Sequence, residues 1–186
     1  MKRFFDILAS IFASAFLLLL FFLIGLSVFF TSKGAVLYWS KRVGRNNQLF
    51  NMPKFRTMRI NTPAVATHLL QDPDQWLTPI GSFLRKSSLD ELPQLWSILK
   101  GDMSFVGPSP ALYNQDDLIE LRTNAGVHTL QPGLTGWAQI NGRDELPIPV
   151  KVKFDIEYLQ RKSFKFDLYI LWMTFLKVIY RDGVTH

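Results

Sequence analysis

The chain has 186 residues and no cysteine. A disulfide framework and a thiolate metal site are therefore excluded, and a reducing cytoplasmic setting suits the composition. Internal repeats and low-complexity tracts are also missing. Acids are scarce in one region: residues 1–60 hold nine Lys/Arg and one acid, whereas residues 61–186 hold twelve Lys/Arg and fourteen acids. A sequence pI of 9.7 invites a nucleic-acid reading. Here, however, the basic residues flank an apolar helix, where they meet anionic lipid headgroups and keep that side cytoplasmic. No nucleic-acid partner is expected.

The other absence is of charge, since none occurs from Ile7 to Phe30. As a helix this Leu- and Phe-rich run would be about 36 Å long, against a hydrocarbon core of roughly 30 Å. A cleaved secretory signal has a shorter apolar core and a small-residue cleavage site, which Thr31-Ser-Lys-Gly34 does not supply. A retained membrane helix is expected over 1–32. Both of its flanks are basic, with Lys2 and Arg3 before it and Lys33, Lys41, Arg42 and Arg45 after it, and so both ends prefer the cytoplasm. That favours a segment that enters the bilayer and returns. Yet the run has no proline, and Gly25 lies too near its end to break it at mid-depth, which favours a continuous spanning helix.

Val36–Ser40 and Gln48–Met52 read as short strands about a Gly44-Arg-Asn-Asn turn. Lys54-Phe-Arg-Thr-Met-Arg59 alternates basic and apolar residues, placing Lys54, Arg56 and Arg59 on one side of an extended segment. A helix is expected to start at Thr62-Pro63 and end at Asp72-Pro73. Ser88-Leu-Asp-Glu91 matches a capping box that opens a helix with Leu92, Leu95, Trp96 and Leu99 inward, bent early by Pro93 and closed by Gly101. Gly107–Pro110 and Gln131–Gly136 read as loops, separated by a helix from Asp116 to Ala125. A last helix, Phe166 to Arg181, is too short to span and carries Tyr169, Trp172 and Tyr180. It reads as interfacial, a buried core helix being the competing assignment.

Asp90 and Glu91 fall in a first helical turn, where free N–H groups and the dipole favour ionised carboxylates. Ordinary capping explains them equally well. Their neighbours suggest more: Arg85 and Lys86 precede them, the 54–59 cations lie on an expected strand, and two Gly/Pro loops offer backbone N–H groups to phosphate. A carboxylate attacking a phosphoryl group needs that group's charge neutralised by such cations and by Mg²⁺. His68 reads as a solvated or structural residue and His186 as a chain end. Trp96 reads as core, while Trp137 is open between packing and ligand contact.

Lys54-Phe-Arg-Thr-Met58, Leu77-Thr-Pro-Ile-Gly81, Ser88-Leu-Asp-Glu-Leu-Pro-Gln-Leu95, Lys100-Gly-Asp-Met-Ser-Phe-Val-Gly-Pro108 and Pro132-Gly-Leu-Thr-Gly-Trp-Ala-Gln-Ile-Asn-Gly-Arg143 follow one another in order. In these motifs the chain resembles the bacterial sugar transferase family, the monotopic phosphoglycosyl transferases, in their short, catalytic-domain-only form. The resemblance implies transfer of a sugar phosphate from a UDP-sugar to polyprenyl (undecaprenyl) phosphate with release of UMP, at the cytoplasmic face of the bacterial inner membrane. It makes Asp90 the nucleophile and a Mg²⁺ ligand and gives Glu91 an orienting or proton-handling role. Lys54, Arg56 and Arg85 become phosphate-binding residues, while Thr135, Gln139, Asn141 and Arg143 line the donor pocket. An acetamido sugar on UDP is its suggested donor, and it allows a homodimer. Three positions depart from the family: Leu18-Leu19 stands for a helix-breaking Ser-Pro, Ser109 for an arginine, and Gln131 for a basic residue. Either Arg122 or His128 replaces the missing cations, or the enzyme is impaired.

The expected architecture is α+β: a mainly helical domain over 33–186 with a small strand element, carried on the membrane helix of 1–32 and an interfacial helix at about 166–181. An inactive relative serving as a membrane-bound partner in glycan assembly is the rival reading. A glycosidase fits poorly, since its two acids must flank a sugar roughly 5–9.5 Å apart, whereas Asp90 and Glu91 are chain neighbours.

Overall fold

A break at Leu17 divides the apolar run into two helices, α1 (Lys2–Phe16) and α2 (Leu18–Thr31), bent by 64°. The computed structural model describes residues 1–63, 72–142 and 146–180. Among these, no single helix is long and apolar enough to cross a membrane, so the expected continuous helix is corrected. The bend needs no proline. Leu17 adopts φ −92°, ψ 7°, away from helical values, while its N–H still reaches Ala13 O and its own carbonyl accepts from Phe21 N.

Anchors at both ends of the pair account for the bend. At the start, Lys2 Nζ donates to Val106 O, Tyr158 OH and Asp167 Oδ2 at 2.8–2.9 Å, and the Arg3 guanidinium caps Ile98 O and Leu99 O. At the far end, Ile24 and Val28 pack with Phe55 and Leu84. One continuous rod cannot satisfy both attachments. The polarity of α1 is also inverted: Asp6 and Ser10 are buried, while Phe4, Leu8, Ile11, Phe12 and Phe16 are exposed.

β1 (Leu37–Val43) and β2 (Leu49–Phe55) form the expected hairpin, antiparallel with Leu37 opposite Phe55 and Val43 opposite Leu49. Asn46 and Asn47 turn it with positive φ, which asparagine tolerates better than most residues. Beyond β2, Thr57–Arg59 bonds to Trp76–Thr78, with Arg59 N to Trp76 O at 2.8 Å and Thr78 N to Thr57 O at 2.9 Å. The chain then enters α3 (Gly81–Lys86). A Cβ at Gly81 would overlap the Thr57 carbonyl oxygen, which explains why the motif requires glycine there.

α4 (Gln94–Lys100) buries Leu95 and Ile98 with Met52 and Met103, and Gly101 closes it at φ 100°. Trp96 is 59% exposed, correcting its expected place in the core; the helix begins later than the spacing suggested, Leu95 faces inward as expected, and Ile98 takes the inward place beside it. α5 (Asp116–Asn124) matches expectation. The two Gly/Pro segments are not independent loops. β3 (Ser104–Val106) pairs in parallel with β4 (Gly133–Thr135), Ser104 opposite Gly133 and Val106 opposite Thr135.

α6 (Trp137–Ile140), α7 (Ile148–Arg161) and α8 (Phe164–Tyr180) complete the fold, which is α+β as expected. α8 buries Phe166, Asp167 and Ile170. Its other side leaves Leu168, Tyr169, Trp172, Phe175, Val178, Ile179 and Tyr180 exposed. His68, Arg143, Arg181 and His186 lie outside the described residues, as does the body of the helix expected after Thr62-Pro63. Pro73 opens a 3₁₀ turn, Pro73–Trp76.

Candidate active site

Asp90 sits in a 3₁₀ turn, Leu89–Glu91, between α3 and α4. The capping box does not form: Ser88 has φ 56° and makes no side-chain cap bond. Pro93 explains this. It has no N–H for a helix begun at Leu89, so the chain closes i+3 bonds, Glu91 N to Ser88 O and Leu92 N to Leu89 O, and restarts at α4.

This turn lies against the end of β2, where Lys54 Nζ meets Glu91 Oε1 at 2.6 Å. Asp90 itself is 7% exposed. Burial pushes its carboxyl up from 3.8 to about 6, Lys54 and Arg85 pull it down, and Glu91 adds to the rise. The direction is opposite to that expected of a helix-capping acid, because loss of water outweighs both cations. Asp90, Glu91, Lys54 and Arg85 are thus brought together, a convergence that the sequence alone did not establish. Arg56 is not part of that group of contacts. β2 ends at Phe55, and the Arg56 guanidinium turns to Ala35 O at 2.7 Å and to the Tyr38 ring.

The second set of motif residues is organised by glycines. A Cβ at Gly133 would overlap Gly107 N, and one at Gly136 would overlap Gly107 O. Backbone therefore meets backbone across the β3–β4 pair. Thr135 Oγ1 lies 2.8 Å from Thr174 Oγ1 on α8, and Asn141 Nδ2 donates to Trp137 O. The Gln139 Oε1 is buried with no hydrogen-bond partner among the described residues. Trp137 donates to Glu157 and packs with Phe154, Phe166 and Tyr169, which answers its open assignment in favour of packing. The contacts of Thr135 and Asn141 run within this second group rather than to Asp90.

Sequence reading missed α7 and the pair it provides, although Pro147 and Pro149 ahead of Val152 and Ile156 were a usable helix signal. Arg122 is buried and pairs with Asp155 at 2.7 Å. Burial raises the Asp155 carboxyl while Arg122 lowers it. The same guanidinium donates to Ser109 O at 2.7 Å. A cation therefore does stand at the departed position 109, but its charge is matched by Asp155. Gln131 donates to Gly101 O, and His128 Nδ1 is buried without a partner among the described residues.

Asp90 and Glu91 offer hard oxygen donors of the type Mg²⁺ takes, and burial disfavours an Asp90 charge that a bound cation would offset. Among the described residues no cluster of three or more acidic or imidazole groups gathers. Mg²⁺ commonly needs only one or two carboxylates, completing its shell with phosphate and water. The residues present fit that ion.

Asp90 is thus a buried carboxylate with Lys54, Arg85 and Glu91 around it, on an α+β body that carries the ordered motifs. The chain belongs to the bacterial sugar transferase family, which matches residues 1–181. It is 42% identical to the exopolysaccharide production protein ExoY of Rhizobium meliloti (strain 1021), covering 98% of this chain and 87% of that protein. It is 36% identical to an undecaprenyl-phosphate galactose phosphotransferase of Salmonella typhimurium, covering 98% and 41%. With an undecaprenyl-phosphate glucose phosphotransferase of Komagataeibacter xylinus the identity is 37%, covering 96% and 36%.

Proposed function

We propose that this transferase moves a sugar phosphate from a UDP-sugar to polyprenyl phosphate, with Asp90 as nucleophile. The observation that carries the reading is the Asp90 carboxylate, buried between Lys54, Arg85 and Glu91. With a pKa of about 6 it is largely ionised at neutral pH yet poorly solvated, a state suited to attack. An Asp90 oxygen attacks the sugar-proximal phosphorus, the bond from that phosphorus to the bridging oxygen breaks, and UMP leaves with that oxygen. An oxygen of polyprenyl phosphate then attacks the same phosphorus, restoring the carboxylate and forming polyprenyl diphosphate sugar. Lys54, through its ion pair, fixes Glu91 beside the nucleophile, and Arg85 faces the charge on the transferred phosphate. Mg²⁺ held by Asp90 and Glu91 would draw charge from the diphosphate oxygens. Relatives named for galactose and glucose transfer favour a hexose donor over the acetamido sugar.

The same reading puts α1 and α2 in the bilayer as a re-entrant hairpin at the cytoplasmic face. A helix that buries Asp6 and Ser10 and exposes five large apolar residues has its polarity set by apolar surroundings. Both ends of the pair are fastened to one catalytic body, which supports entry and return on one side. The exposed apolar side of α8 fits the interface. The test supplies purified protein with Mg²⁺, polyprenyl phosphate and a panel of UDP-sugars, and follows UMP. Release by the native protein, with none from Asp90→Asn and no labelled sugar phosphate trapped on that variant, is expected. Full activity in Asp90→Asn would sink the nucleophile assignment, and no release from any donor would favour the inactive-partner reading.

A further inference from the structure

A cleft of about 380 Å³ opens beside α3, with Arg59, Asp74, Ser82 and Lys86 on its walls. It exists because two motif segments are bonded together. Thr57–Arg59 pairs with Trp76–Thr78, and α3 begins directly afterwards, pressed onto Thr57 at Gly81. Ser82 and Lys86 are one turn apart on α3 and so share a face. Arg59 and Lys86 are exposed, and neither side chain forms an ion pair or hydrogen bond among the described residues. Among the described residues Asp74 is the one carboxylate on the walls, against two cations.

Two of the cleft's cationic and polar residues have exposed apolar chain neighbours. Ile60, beside Arg59, is 59% exposed, and Phe83, beside Ser82, is 61% exposed. A Cβ on Gly34, just past the end of α2, would come within 3.1 Å of Ile60. Leu84 of α3 packs on Ile24 and Val28 of α2. Two unpaired cations with exposed apolar neighbours, at the end of the apolar helix pair, match a ligand that has both a phosphate and a hydrocarbon chain. A UDP-sugar has only the first.

We propose that this cleft receives the phosphate head of the lipid acceptor, Arg59 and Lys86 holding its oxygens while Ile60 and Phe83 lie against the start of its chain. The assignment rests on the phosphoglycosyl-transfer reading above. Lys86 is the last residue of α3 and lies four positions before Asp90, and its chain neighbour Arg85 is one of the cations that lower the Asp90 carboxyl. From there the acceptor oxygen attacks the phosphorus carried on Asp90, and the bond to the carboxylate breaks.

The double variant Arg59→Gln/Lys86→Gln tests it, because both positions are exposed and tolerate substitution. The two half-reactions are measured separately: the UMP burst from UDP-sugar without acceptor, and the acceptor KM in full turnover. An unchanged burst with an acceptor KM raised about tenfold or more is expected from losing two charged phosphate contacts. An unchanged acceptor KM overturns the proposal. A raised donor KM with acceptor KM intact also overturns it and gives the cleft to the nucleotide. If the native protein releases no UMP, the reaction itself is misassigned, and the cleft is then judged by binding. Native protein should retain more of itself on vesicles containing polyprenyl phosphate than on phosphatidylglycerol vesicles of equal charge, and the double variant should lose that difference. Equal retention by both proteins refutes the cleft.

Discussion

Replacing Asp90, the proposed nucleophile, should make the protein more stable while abolishing its activity. An aspartate that ordinarily titrates at 3.8 is moved to about 6 at position 90, chiefly by burial. At pH 7.5 that difference corresponds to about 3 kcal/mol held against the folded state, since the ionised form is favoured less strongly inside than in the unfolded chain. The sign follows from proton binding. Between about pH 4 and 6 the folded protein binds the proton more tightly than the unfolded chain, so stability falls as pH rises through that window and stays low above it. Asn at 90 has a similar shape and no charge. Asp90→Asn should therefore raise the thermal midpoint at pH 7.5 by about 6–12 °C, taking roughly 2–4 °C per kcal/mol for a domain of this size. At pH 4.5 only about 1 kcal/mol remains, and the gap between the proteins should shrink to about a third. Tryptophan fluorescence during heating in detergent with EDTA reads both values. A variant no more stable than the native protein at pH 7.5, or a gap that persists at pH 4.5, would refute the buried-charge account.

The rate of the UMP burst should fall as pH drops through about 6, where Asp90 takes up its proton, and a profile flat down to pH 5 would contradict its role. Gly81→Ala drives a Cβ into the Thr57 carbonyl and should cost about 1–3 kcal/mol, seen as a lowered midpoint. Arg122→Met strands the buried Asp155 carboxylate and should cost about 3–5 kcal/mol, most of which returns in the double variant with Asp155→Leu. Single cysteines at Met1 and Ser32, in a chain with none of its own, should react with a membrane-impermeant reagent from the same side; labelling from opposite sides would refute the re-entrant hairpin.

Features set by local chemistry were legible in the sequence. The hairpin, Gly101 as a helix terminator and α5 followed from turn residues and spacing. Features set by distant partners were not. The bend at Leu17 comes from attachments of Lys2 and Arg3 to residues about a hundred or more positions away, and nothing between Ile7 and Phe30 encodes it. The capping box failed because Pro93, whose effect was foreseen as a slight bend, instead delays the helix. That delay changes which face of α4 is inward, so Trp96 is exposed and Ile98 buried. At Asp90 the local dipole argument predicted easy ionisation, but burial, which no local pattern reports, reversed the direction. Lys54, Arg85, Asp90 and Glu91 were legible as candidates through motif order but not as one group, and the separate contacts of Arg56 and Thr135 depend on where β2 stops and where α8 crosses.

The close approach of Gly107 to Gly133 and Gly136 has a consequence for how this enzyme can change. Where two main chains touch, no side chain is available to adjust, so those three positions are mutationally frozen and the geometry of the β3–β4 pair is inherited whole. Variation must instead be written at the rims, at positions such as Ser109 and Gln131, whose side chains lie outside the glycine contacts. A laboratory search for altered donor preference would therefore gain most by randomising rim positions such as 109 and 131 and leaving the glycines alone.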